Sequence, residues 1–185
     1  MEKKKSVFKK WWFWLIIVVI IIGVAAAAGG SKDEAQKVGE NKSTSQGANN
    51  TTEQEEKTEF KVGDIIAFDG KEVTVTSVER NYNSGNQFIT PAEGKEYVKV
   101  NVLIENKSDS TASYNVLEWK IEDGNGAIED ADGLSFTIDD ALSSGELSKN
   151  GKKSGAIVFE APLGDALTLH YQPGFWSNKE VTIKL

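Results

Sequence analysis

The chain has 185 residues, 21 Lys+Arg against 28 Asp+Glu, a net charge of −7 and no cysteine. That length suggests one ordinary domain with additional segments. The missing cysteine excludes disulfides, thiol nucleophiles, thiolate metal sites and the usual acceptor of a bacterial lipid anchor. Residues 1–59 hold nine Lys and eight acids, which leaves twelve basic and twenty acidic residues for 60–185. A surface of that sign repels phosphate backbones and argues against nucleic acid as a partner.

Residues 1–10 form a basic tail with Lys3, Lys4, Lys5, Lys9 and Lys10, expected to stay cytoplasmic. Residues 11–30 then carry no charge. A helix of that length spans about 30 Å, the thickness of a bilayer's hydrocarbon core. Trp11, Trp12 and Trp14 stand at its lysine end, where indole rings favour the membrane interface, and Ile16, Ile20 and Val24 continue the apolar run. The pattern predicts a single-pass anchor in the cell membrane with the C-terminal domain extracellular. The same residues also suit a cleavable signal peptide, cut near Ala27 or Ala28, with a secreted product. The length of the run and its Trp and Ile content favour the anchor.

Residues 31–59 are rich in Ser, Thr, Asn, Gln, Gly, Glu and Lys. They bury too little apolar surface to offset the entropy of ordering, so the composition predicts a disordered linker, with a reach of roughly 30 Å. Asn41, Asn49 and Asn50 open N-x-S/T triplets, which matter only in a glycosylating pathway.

From Phe60 the period becomes two, and residues 60–185 are expected to form one all-β domain. Val98, Val100, Val102 and Ile104 share a face opposite Lys99, Asn101 and Glu105. Leu117, Trp119 and Ile121 alternate with Glu118, Lys120 and Glu122, and Ile157 with Phe159, Leu167–Leu169–Tyr171 and Val181–Ile183–Leu185 repeat the pattern. Turn dipeptides separate the runs at Asp69-Gly70, Asp123-Gly124, Asn125-Gly126, Asn150-Gly151 and Pro173-Gly174. Seven or eight half-buried strands of this kind predict an antiparallel β-sandwich.

Candidate chemistry is sparse. His170 is the one histidine, on the strand face opposite Leu169 and Tyr171, and is expected at an edge or facing solvent. No nucleophile and orienting acid accompany it, so no catalytic residue, cofactor-binding residue or metal ligand is assigned. The acidic stretch Glu122, Asp123, Asn125, Glu129, Asp130, Asp132, Asp139 and Asp140 partly imitates a calcium loop. It lacks a full ligand set, and a hairpin turn explains Asp123, Asn125 and Gly126 equally well. Trp119 reads as core. Phe175 and Trp176, after a Pro-Gly turn, are the one candidate ligand contact, a platform for a sugar or peptide, with edge packing as the alternative.

The strings VGDIIAFDGKEVTVTSVE, EGKEYVKVNVLIENKSDS, LEWKIEDGNG, KSGAIVFEAP and LTLHYQP follow one another in residues 60–185. In this order they resemble an exported bacterial family of unknown function often labelled "telomeric repeat-binding factor two". That family is similar in fold to the mycobacterial immunoprotective extracellular antigen. The resemblance implies an immunoglobulin-like sandwich at the cell surface, without catalytic residues. The chain departs from the family in lacking a lipid-attachment cysteine and zinc-ribbon cysteines before the membrane segment. The expected role is a binding or interaction module at the envelope, its partner an unknown protein or glycan. The alternatives are a structural or stress accessory protein and, last, an enzyme.

Overall fold

Asp69 and Gly70, with φ of 50° and 71°, make the two-residue turn that twists a hairpin in the sense of its strands. It joins β3 (Asp64–Phe68) to β4 (Lys71–Glu79), with Phe68 facing Lys71 across the ladder. This hairpin belongs to the first of two sheets in the computed structural model, which describes residues 35–40, 59–174 and 179–185. The first sheet continues through β5 (Lys95–Asn106) to β10 (Lys152–Pro162). β5 and β10 run antiparallel over eleven residue pairs, from Lys95↔Pro162 to Glu105↔Lys152.

The second sheet has the order β2 (Phe60–Lys61), β12 (Val181–Lys184), β11 (Thr168–Tyr171), β7 (Trp119–Glu122) and β8 (Ile128–Asp130). β2 lies parallel to β12, a departure from the all-antiparallel expectation. β6 (Ala112–Asn115) and β9 (Ser144–Leu147) pair separately. The extra strands beyond seven or eight are these short ones; two to four residues, mostly polar, leave no alternation to read.

The inner faces of the two sheets meet as alternation requires. Val100, Val102, Ile104, Ile157 and Phe159 from the first and Trp119, Ile121, Leu169 and Ile183 from the second are all buried in one cluster. The Trp119 and Tyr171 rings stack with centroids 4.4 Å apart. Each such side chain contributes about 1.5–3 kcal/mol on leaving water, enough to hold a domain without disulfides.

Three expectations fail locally. Leu117 is exposed and Glu118 buried, the reverse of the alternation, because Val116–Glu118 is a 3₁₀ turn. Asn115 caps it by accepting from the Leu117 N–H at 2.9 Å, and the tighter winding rotates the next two side chains off the strand register. His170 is 6% exposed, since β11 is the central strand of its sheet and carboxylates close over the ring. Within the supposed linker, Gln36–Glu40 form β1, antiparallel to β3 with a register shift between Lys37 and Gly39. Lys37 reaches the buried Asp64 at 2.8 Å. β3 would otherwise offer unpaired N–H and C=O groups to water, so an extended segment beside it gains a ladder despite poor composition. The rest of the linker, 31–34 and 41–58, lies outside the described residues.

Candidate functional site

The opposite edge of the first sheet, along β10, is closed by the segment 132–142. Asp132 caps a second 3₁₀ turn, Gly133–Phe136, by accepting from the Leu134 N–H at 2.8 Å. Ser135 Oγ donates to the Val158 carbonyl and accepts from the Val158 N–H, both at 2.8 Å. Further along, the Ala156 N–H donates to the Asp140 carbonyl at 2.7 Å, and the Leu142 N–H donates to the Ala156 carbonyl at 2.9 Å. Gly155 permits this approach: a Cβ there would lie 2.3 Å from the Leu142 Cα.

On the same outer face, β4 and β5 are joined by residues 80–94, a connection long enough to suggest a role of its own. Its base is tied to the sheet by Glu96, which is 2% exposed. Glu96 accepts from the Arg80 guanidinium (Nε at 3.0 Å), the Asn81 N–H at 2.8 Å and the Gly164 N–H at 2.9 Å. Burial disfavours the charge, yet these hydrogen bonds and the Arg80 charge together hold the carboxyl below its ordinary value. The loop then folds down, and Tyr82 and Ile89 pack with Ile138 against Tyr97, Leu134 and Val158 in a second small apolar cluster.

Lys99 links loop and segment. Its Nζ lies 5.0 Å from the centre of the Tyr82 ring and 2.9 Å from Asp140. Burial opposes its charge, but Asp140, Tyr82 and Glu79 raise its pKa above the ordinary lysine value. Three adjoining cavities form a trough whose middle part lies between the two walls, while its ends lie under the loop alone and beside the segment over β4, β5 and β10. The first, about 250 Å³, is lined by Asn81, Asn83, Asn86 and Gln87. The second, about 510 Å³, shares Tyr82, Asn86 and Ile89 with it and reaches Asp139 and Asp140. The third, about 470 Å³, shares those two acids and extends over Thr76, Ser77, Asn101 and Ser154. Phe88, 85% exposed, and Phe136, 59% exposed, adjoin lining residues of the two walls in sequence.

Of the acidic residues singled out from sequence, Asp139 and Asp140 line the trough. Phe175 and Trp176 lie outside the described residues, as do Trp11, Trp12, Trp14, Ile16, Ile20 and Val24. Among the described residues no helix is long and apolar enough to cross a membrane. His170 sits between Glu122, 2.6 Å from Nε2, and Glu180 at Nδ1. Both ring nitrogens are thus occupied, and neither is left to bind a metal or activate a nucleophile. The acidic stretch divides its work. Asp123 Oδ1 accepts from the Asn125 and Ala127 N–H groups at 2.8 and 2.9 Å, which is a turn. Asp130 pairs with Lys120 at 3.0 Å, and Asp140 with Lys99. Among the described residues no group of three or more His, Cys, Asp or Glu is arranged to hold a metal ion.

Glu118 is the buried acid that alternation misplaced. One oxygen accepts from the Gly174 N–H at 3.0 Å. The other, with Trp119 Nε1 and the Tyr171 hydroxyl, has no hydrogen-bond partner. Burial, opposed by Lys71, raises the Glu118 pKa; burial with the charges of Glu118 and Asp69 raises that of Tyr171.

The trough went unread in the sequence, where its signal was the fifteen-residue gap between two alternating runs, with Asn81, Asn83, Asn86 and Gln87 inside it. Two solved structures from Bacillus subtilis share this fold, and a third structure is similar to the chain. A protein of Bacillus subtilis subsp. subtilis str. 168 described as a candidate lipoprotein (ycdA) matches 71% of the chain at 18% identity, with a TM-score of 0.54. The chain spans only 39% of that protein's length. The yjhA protein from Bacillus subtilis matches 68% of the chain and 98% of its own length at 18% identity, TM-score 0.51. An uncharacterized β-sandwich protein from Clostridium difficile 630 matches 73% and 99% at 16% identity, TM-score 0.44. No curated protein matches the chain. Residues 60–181 fit the family model described as "Domain of unknown function (DUF4352)", and by that match over most of its length the chain belongs to this family.

Proposed function

We propose that this protein is a membrane-tethered, extracytoplasmic β-sandwich of immunoglobulin-like type that binds an envelope component, and that it is not an enzyme. The observation that carries the binding role is the trough on the outer face of the first sheet, walled by a long loop and a hydrogen-bonded segment. Irregular segments held on a rigid sheet are where sandwiches place recognition. The tether rests on the uncharged run 11–30 behind five lysines. The description of one structural neighbour as a lipoprotein supports an envelope location, although this chain has no cysteine to lipidate.

The experiment is photo-crosslinking in cells from a photoreactive residue placed at Phe88, with one at Glu129 on the far sheet as control. The expected result is a discrete adduct from Phe88 alone, recovered in the membrane fraction after an alkaline wash. Equal labelling from both positions would remove the trough as the binding face. A mature N-terminus near Gly29 would replace the tether by a cleaved signal.

A further inference from the structure

We infer that the trough takes an extended, uncharged oligosaccharide, about three sugar rings or more laid end to end from the loop 80–94, past the segment 132–142, to the outer face of β4, β5 and β10. This rests on the trough being the binding face. Three properties select the ligand class.

The first is the lining. Asn81, Asn83, Asn86 and Gln87 present amides on one side, and Thr76, Ser77 and Ser154 hydroxyls on the floor. Asn83 and Asn86 already accept the Gly85 and Phe88 N–H groups, Thr76 donates to the Asn101 carbonyl and Ser77 accepts from the Asn101 amide, so what faces a ligand is their NH₂ groups, the remaining lone pairs, Gln87, Ser154 and the Asp139 carboxylate. A sugar ring offers adjacent hydroxyls that need both kinds of partner. Phe88 and Phe136 are exposed aromatic rings next in sequence to lining residues rather than lining residues themselves, and the C–H face of a sugar ring is apolar.

The second is charge. Most ionic groups around the trough are matched within the fold, Lys99 with Asp140, Arg80 with Glu96 and Lys95 with Glu160, and the two lining charges outside these pairs, Asp139 and Lys153, are of opposite sign. A polyanion or polycation would have to break these pairs, whereas a neutral chain leaves them intact.

The third is the sheet edge. A peptide that binds by adding a strand needs free backbone groups. Here β10 has given those at Ala156 and Val158 to Asp140, Leu142 and Ser135. Recognition is left to side chains. Cavities of about 250–510 Å³ in series suit ring-sized units rather than one bulky apolar anchor.

The test is nuclear magnetic resonance of the full chain in detergent micelles, titrated with chitotetraose and, separately, cellotetraose. One of the two is expected to shift the side-chain amides of Asn83, Asn86 and Gln87 saturably, with a dissociation constant between about 10 μM and 1 mM. Gln87→Ala and Phe88→Ala, both at exposed positions, should each weaken binding roughly tenfold with the thermal midpoint unchanged. No shift with either sugar at about 10 mM, or shifts confined to the second sheet, overturns the proposal. If Phe88 crosslinks to a protein in cells while neither sugar shifts these amides, the ligand class is wrong and the binding face stands. If neither assay gives a signal, both are wrong.

Discussion

Glu96 and Glu118 are buried carboxyls whose surroundings act in opposite directions. Glu96 meets a guanidinium and two N–H groups, so its folded pKa lies below the ordinary 4.5. Its stabilisation is present above that value and is lost as pH falls through the folded one. Burial outweighs the Lys71 charge and the Gly174 and Asn115 N–H groups at Glu118, so its folded pKa lies above 4.5. Below 4.5 it costs nothing, and the cost grows as rising pH ionises it in the unfolded chain first. Glu96→Gln is therefore expected to destabilise at neutral pH, by about 1.5–3 kcal/mol for a lost charge-assisted hydrogen bond. Glu118→Gln is expected to stabilise at neutral pH, because an amide removes the buried charge that desolvation disfavours. Urea midpoints measured across acid to neutral pH should show the two variants on opposite sides of the wild type and converging at the acid end. A Glu118→Gln variant less stable than wild type at neutral pH would contradict the assignment.

The two ends of the first sheet are finished differently, with β3 paired to the short edge strand β1 and β10 covered by the segment 132–142. Covering an edge removes a template for pairing with another chain. On the β10 side the same device builds one wall of the trough, and Gly155 sets how closely that wall approaches. Gly155→Ala places a methyl 2.3 Å from backbone, so the segment must move outward. The expected cost is about 1–3 kcal/mol of overpacking. Hydrogen exchange at Leu142 and Ala156 should accelerate well before that of Val98 and Val100 in the core. Unchanged exchange at those two amides would show that the segment is not held through them.

At the scale of the molecule, acidity sets what it repels. Residues 60–185 hold twelve basic residues against twenty acidic ones, and Lys99, Lys107, Lys120, Lys149 and Lys152 each contact an acid. Affinity for DNA depends on Lys and Arg neutralising phosphates. No retardation of DNA is expected in a gel-shift at low salt, where electrostatic binding is strongest. A shift at micromolar protein that fades as salt rises would show a basic surface that this charge balance hides.

Period-two alternation was enough to establish the sandwich and its inner residues from the sequence, because burial between two sheets forces side chains to alternate. Asp69-Gly70 located a hairpin for the same kind of local reason, a backbone conformation that few residue pairs adopt easily. What alternation cannot carry is anything set by a neighbour distant in sequence. The burial of His170 follows from β11 lying between β12 and β7. The exchange of Leu117 and Glu118 follows from a turn fixed by Asn115. β1 is a strand because β3 offers it an edge, not because QKVGE favours one. The trough belongs to this class too: its walls are about fifty residues apart in the chain, and only the closing of the sheet brings them to face each other.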